Sequence, residues 1–133
     1  MKYSVVIHKD PESDYSVIVP DLSGCFSAGS TIEEALSMGK EAIECHIEGM
    51  LLDGEVIPKL LPIEAHRTNP EYLDGIWGLV EIDISQLSPK SKRVNITLPL
   101  YLLNTVDNYA KKHGESRSAL LANAVTEYMG SHQ

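Results

Sequence analysis

The stretch Lys92-Arg93-Val94-Asn95-Ile96-Thr97-Leu98-Pro99 alternates strictly between polar and apolar residues. In an extended chain Val94, Ile96 and Leu98 face one way and Arg93, Asn95 and Thr97 the other. Pro99 ends the strand and suits the first turn of a helix. A helix is predicted to about His113, with Leu100, Leu103, Val106 and Ala110 on one face and Gly114 closing it. A second starts near Ser116 and carries Leu120, Leu121, Ala124, Val125 and Tyr128. One strand and two short helices cannot stand alone, because the strand has two open edges and the core is too small. Two copies remove both problems: the strands pair as an antiparallel ribbon and four helices clasp beneath it. This tail therefore demands a homodimer.

Pairing determines what the outer face displays. Arg93, Asn95 and Thr97 appear twice on the ribbon, related by a two-fold axis. A two-stranded ribbon fits the major groove of DNA, where Arg can pair with guanine, Asn with adenine, and Thr with either base type or the thymine methyl. The second helix begins at Ser116, Arg117 and Ser118, where free N–H groups and the helix dipole favour a phosphate. Lys92 adds a cation at the strand's start. Charge is divided to match. Residues 1–89 hold sixteen acidic and five basic side chains, whereas residues 90–133 hold three acidic and six basic. The net charge of −8 thus conceals a basic tail behind an acidic front half, as expected of two surfaces with different partners.

Residues 92–130 resemble the ribbon-helix-helix family, to which the Arc and MetJ repressors belong. The likeness rests on the alternating strand, the closing proline, the turn Gly114-Glu115-Ser116 and the overall length. It implies base reading by Arg93, Asn95 and Thr97 and phosphate anchoring by Ser116, Arg117 and Ser118.

The front half reads as a small sheet with one long helix. Residues 2–8 alternate as a strand, Asp10 to Asp14 form a turn, and Tyr15 to Val19 give a second strand. Pro20 to Gly24 breaks the chain before a short strand from Cys25 to Ala28, ending at Gly29. Ser30 with Glu33, and Thr31 with Glu34, each fit a capping box. Apolar residues from Ile32 to Leu51 then recur at helical spacing, and Asp53-Gly54 stops the helix. Pro58, Pro62 and Pro70 forbid a long helix over 55–75, where loop with short extended pieces is expected. A fourth strand is predicted over Ile76 to Ile84. The chain divides as a front domain over 1–84, a linker over 85–91 and the DNA-binding module over 92–133.

The front half resembles the HicB antitoxin family. The residues concerned are the hairpin strand Tyr15 to Val19, Pro20-Asp21-Leu22-Ser23-Gly24-Cys25, and Ala28-Gly29-Ser30-Thr31 with Glu33, Glu34 and Ala35. Ser23 stands where that family usually has Pro, and Ser30 where it often has Asp; both suit a turn and a cap. The resemblance implies an α+β protein, with a partial ribonuclease-H-like sheet and packed helix ahead of the ribbon-helix-helix. It also implies a partner, the small basic HicA-like toxin that cleaves messenger RNA, and repression of the shared operon at palindromic operator DNA. The acidic front half suits a basic partner. Ribbon pairing gives a dimer, and pairing of front domains would extend it to a tetramer.

Other chemistry finds little support. Asp10, Glu12, Asp14 and Asp21 cluster in sequence as Mg²⁺ ligands of a nuclease would, but the first three fall in a turn and no second acidic pair faces them. His8, His46, His66, His113 and His132 lack zinc-ligand spacing, and His46 reads as a packed histidine. Ser23-Gly24-Cys25 has no base placed beside it. Neither a catalytic residue, a metal site nor a cofactor is assigned. Cys25 and Cys45 read as reduced thiols. No apolar run is long enough for a membrane span, and the start is too polar for a signal peptide, so a cytoplasmic location is expected. The rival function is a repressor of the same class that senses a small ligand and has no toxin partner. A neighbouring reading frame for a small basic protein would separate the two.

Overall fold

A computed structural model describes residues 1–87 and 93–132. The chain opens with β1 (Lys2–Lys9), β2 (Tyr15–Ile18) and β3 (Phe26–Gly29), then the long helix α1 (Ile32–Leu52). A one-turn helix α2 (Ile63–His66) and a 3-10 turn at Pro70–Tyr72 lead into β4 (Ile76–Glu81). A further 3-10 turn, Ile84–Gln86, precedes the tail, which contains α3 (Leu100–Lys112) and α4 (Arg117–Ser131).

The four strands form one sheet in the order β3-β2-β1-β4, antiparallel at every step. Tyr3, Val5 and Ile7 project from central β1 into the main core, beside Val17, Val80, Ile82 and Ile57. Of the two possible caps for α1, Thr31 is used: its Oγ1 accepts from the Glu34 N–H at 3.0 Å. Ser30 instead donates its hydroxyl to the Glu34 carboxylate. Ala35, Gly39, Ile43 and Ile47 then recur every four residues along the buried stripe of α1. Burial of the two isoleucines contributes about 1.5–3 kcal/mol each.

Two expectations need correcting. Residues 55–75 contain two short helical turns rather than extended pieces, because Pro62 and Pro70 stand at the starts of turns, where a missing N–H costs nothing. The fourth strand ends at Glu81, not Ile84. Asp83 accepts from the Ser85 N–H and hydroxyl at 3.0 and 2.6 Å, and so folds the next residues into a 3-10 turn. Of the expected linker, Ser85 and Gln86 belong to that turn and Leu87 is buried, while 88–91 lie outside the described residues.

The end of the 55–75 segment approaches the reverse face of the sheet at Val6 and Trp77. Val6, between Ile18 and Trp77 in register, is fully buried, and a side chain at Gly75 would collide with it. The Asp21 side chain, 2% exposed, accepts from the Leu61 N–H and lies 3.0 Å from His66 Nε2. His66 stacks on Trp77, and Tyr72 meets both rings edge-on.

The tail contacts the front half through α4. Ala119, Thr126 and Gly130 are buried, and Asn123 Oδ1 accepts from the Ile84 N–H at 3.3 Å. These four positions share one helix face. A Cβ at Gly130 would come within 2.4 Å of the Ile57 carbonyl oxygen, so only glycine permits this approach.

Candidate nucleic-acid interface

The sequence 93–98 lies outside the four-stranded sheet and, among the described residues, has no strand partner. Val94 is 70% exposed and Ile96 64%. Apolar strand residues with open backbone edges form a template for pairing with another strand. The helices that follow leave more apolar surface open, at Leu100, Tyr101, Val125 and Tyr128. A groove of about 980 Å³ lies between the 93–98 segment and the helices, lined among others by Val94, Ile96, Leu98, Leu103, Leu121 and Val125.

The polar residues of 93–98 are open among the described residues. Arg93, Asn95 and Thr97 are exposed, and no hydrogen bond to a described residue occupies their side chains. Lys92 lies outside the described residues. The start of α4 is shaped by its turn: Gly114 adopts φ +69, and the Glu115 N–H returns to the Ala110 carbonyl at 2.8 Å. This glycine-centred reversal closes α3. Ser116 caps α4 by accepting from the Ala119 N–H at 3.0 Å. Ser116, Arg117 and Ser118 line the same groove as Val94, Asn95 and Ile96. The fold thus brings together strand and helix-start residues some twenty positions apart.

Arg117 has a partner that sequence inspection missed. Its Nε and Nη2 donate to the two oxygens of Asp107 at 2.7 and 2.8 Å. The Arg117 guanidinium holds the Asp107 carboxyl below the ordinary carboxylate range, and Arg117 is raised in turn. The ten-residue spacing matches no helical repeat, so only the Gly114 reversal reveals the pair.

In the front half, Asp10, Glu12 and Asp14 are exposed around the β1–β2 turn, whereas Asp21 is buried against His66. No cluster of three or more His, Cys, Asp or Glu side chains suited to a metal occurs among the described residues. Cys25 is buried and Cys45 exposed, both as free thiols, and burial pushes the Cys25 thiol up. His46 is half-buried on α1. Among the described residues no helix is long and apolar enough to cross a membrane.

These features define an α+β protein, an antiparallel sheet carrying one long helix, followed by an exposed segment over 93–98, to which no strand is assigned, and two helices. The chain belongs to the HicB-like antitoxin family of bacterial toxin-antitoxin systems, whose model matches residues 3–125. That is an antitoxin family, not a family of enzymes. The crystal structure of the Burkholderia pseudomallei antitoxin HicB is similar at 37% identity, covering 97% of this chain and 98% of that one, with a TM-score of 0.84. A chain of the HicA3 and HicB3 toxin-antitoxin complex is 32% identical, covering 62% of this chain and 99% of its own length, with a TM-score of 0.54. A 14.9 kDa protein of the rep-hol intergenic region of Haemophilus phage HP1 is 44% identical over 128 residues, 95% of this chain and 96% of the phage protein.

Proposed function

We propose that this protein is an antitoxin that binds and neutralises a small basic HicA-like toxin and represses its own operon as a ribbon-helix-helix dimer. The observation that carries the second half is the exposed 93–98 segment. It presents Val94 and Ile96 for burial against a second copy and leaves Arg93, Asn95 and Thr97 available for bases. Ser116, Ser118, Arg117 and Lys92 are the phosphate-facing set. On this reading the front domain spans 1–84 and the linker 85–91, and residues 92–133 read palindromic operator DNA.

Toxin binding is supported by family membership, by the similar chain in the HicA3 and HicB3 complex, and by the acidic excess of residues 1–89. That complex favours a protein partner over a small effector. The sheet order and the helix after β3 support a partial ribonuclease-H-like front domain. Co-purification from the native operon tests the whole scheme. A basic protein of toxin size should travel with this chain, and the complex should retard a duplex from the operon's promoter. Purification of this chain free of any such protein would sink the toxin assignment. Failure to retard that duplex would sink repression.

A further inference from the structure

Asp107 on α3 and Arg117 in the first turn of α4 face each other across the Gly114 reversal. Their contact is a fork on a fork, with Nε to Oδ1 at 2.7 Å and Nη2 to Oδ2 at 2.8 Å. Both side chains are solvent-exposed, 54% for Arg117 and 41% for Asp107, so the pair adds little to stability. Its geometric effect is larger. A guanidinium carries five N–H groups in a fixed plane. Asp107 takes the Nε–Nη2 edge and leaves the Nη1–Nη2 edge open, which can still hold a phosphate by two parallel bonds. Arg117 lines the groove that also contains Asn95 and the Ser116 cap, so the residue shares that groove with the 93–98 segment.

We propose that Asp107 is a positioning residue for DNA binding: it clamps one edge of Arg117 so that the other edge meets a backbone phosphate beside the ribbon. This rests on the DNA-binding reading above. Two effects of the carboxylate oppose each other. It repels phosphate, and across a single guanidinium the two anions lie closer than the roughly 8–10 Å over which salt screens, so only the high dielectric of the surrounding water keeps that repulsion small. It also removes rotamer freedom from a long side chain before binding, a cost otherwise met at the moment of contact. Asp107 acts as a positioning residue only where the second effect outweighs the first.

A double-mutant cycle on the intact protein separates them. Wild type, Asp107→Ala, Arg117→Ala and the double variant are titrated against a duplex from the operon's own promoter and against a scrambled duplex, over a range of salt. Because the cycle cancels the long-range charge of Asp107, only its coupling to Arg117 remains. Arg117→Ala should weaken promoter binding about tenfold in the wild-type background and less than about threefold in Asp107→Ala. The salt slope should fall by about one in the first comparison and by less in the second. Asp107→Glu, which keeps two acceptor oxygens, should restore most of the lost coupling. Circular dichroism and mass of every variant should match wild type, since the pair is exposed.

An equal or larger cost of Arg117→Ala in the Asp107→Ala background would show that the carboxylate is idle or withholds the guanidinium, and would overturn the proposal. If wild type binds promoter and scrambled duplex equally or not at all, the DNA-reading assignment itself fails, and the positioning role with it.

Discussion

Arg93 and Asn95 owe their assignment to neighbours more than to their own chemistry. Each alternates with an exposed apolar residue, so the proposed pairing of two copies would aim both outward. Arg93→Ala or Asn95→Ala should cost about 1–3 kcal/mol on the promoter duplex and relax discrimination against altered sites. Equal losses on random DNA, by fluorescence anisotropy, would contradict base reading. Tyr3 gives a residue-scale test of the front core. Burial, aided by the Asp21 carboxylate, raises its phenol above the ordinary value of 10. A raised folded value means the contribution is complete below about pH 10 and is lost as pH climbs through the folded value. Tyr3→Phe keeps the ring and deletes the ionisable hydroxyl, so its alkaline unfolding, followed by circular dichroism, should shift to higher pH. Coincident transitions would show that another group limits stability there.

At the scale of elements, α4 serves two surfaces. Asn123 and Gly130 meet the front half, at Ile84 and Ile57, while Leu121 and Val125 line the groove. Gly130→Ala places a methyl within 2.4 Å of the Ile57 oxygen. It should cost about 1–3 kcal/mol, seen as a lower urea midpoint at unchanged slope. An unchanged midpoint would mean that α4 does not dock there in solution. This element also shows what could be read in advance. The stripe of α1 was legible because it is a local periodic pattern, and its start because a hydroxyl three residues before a glutamate marks a helix cap; the alternation at 93–98 is equally local, but a strand there needs a second strand beside it, and none is assigned among the described residues. The docking face of α4 was not legible, being built of small and polar residues that carry no hydrophobic signal. The turns between 55 and 75 were missed because proline forbids long helices but also begins short ones. Asp107 was invisible because its partner lies beyond a chain reversal, and His66 because its carboxylate is 45 residues away.

As a whole, the molecule joins an acidic front half, which holds the main core, to a basic tail that exposes apolar surface over 93–98 and on both helices. On the proposed reading, stability and function share one requirement for the tail, since burial of that surface against a second copy would set two copies of Arg93, Asn95 and Thr97 side by side. Ile96→Asp should leave the far-ultraviolet spectrum of the front domain intact while abolishing both association and promoter binding. A variant that still associates as wild type does would show that the contact lies elsewhere. The direct test is sedimentation equilibrium of the intact 14.7 kDa chain at micromolar concentration, with hydrogen exchange read over residues 93–98. The account requires an even-numbered assembly and protected amides in that segment. A 14.7 kDa species whose 93–98 amides exchange freely would contradict it.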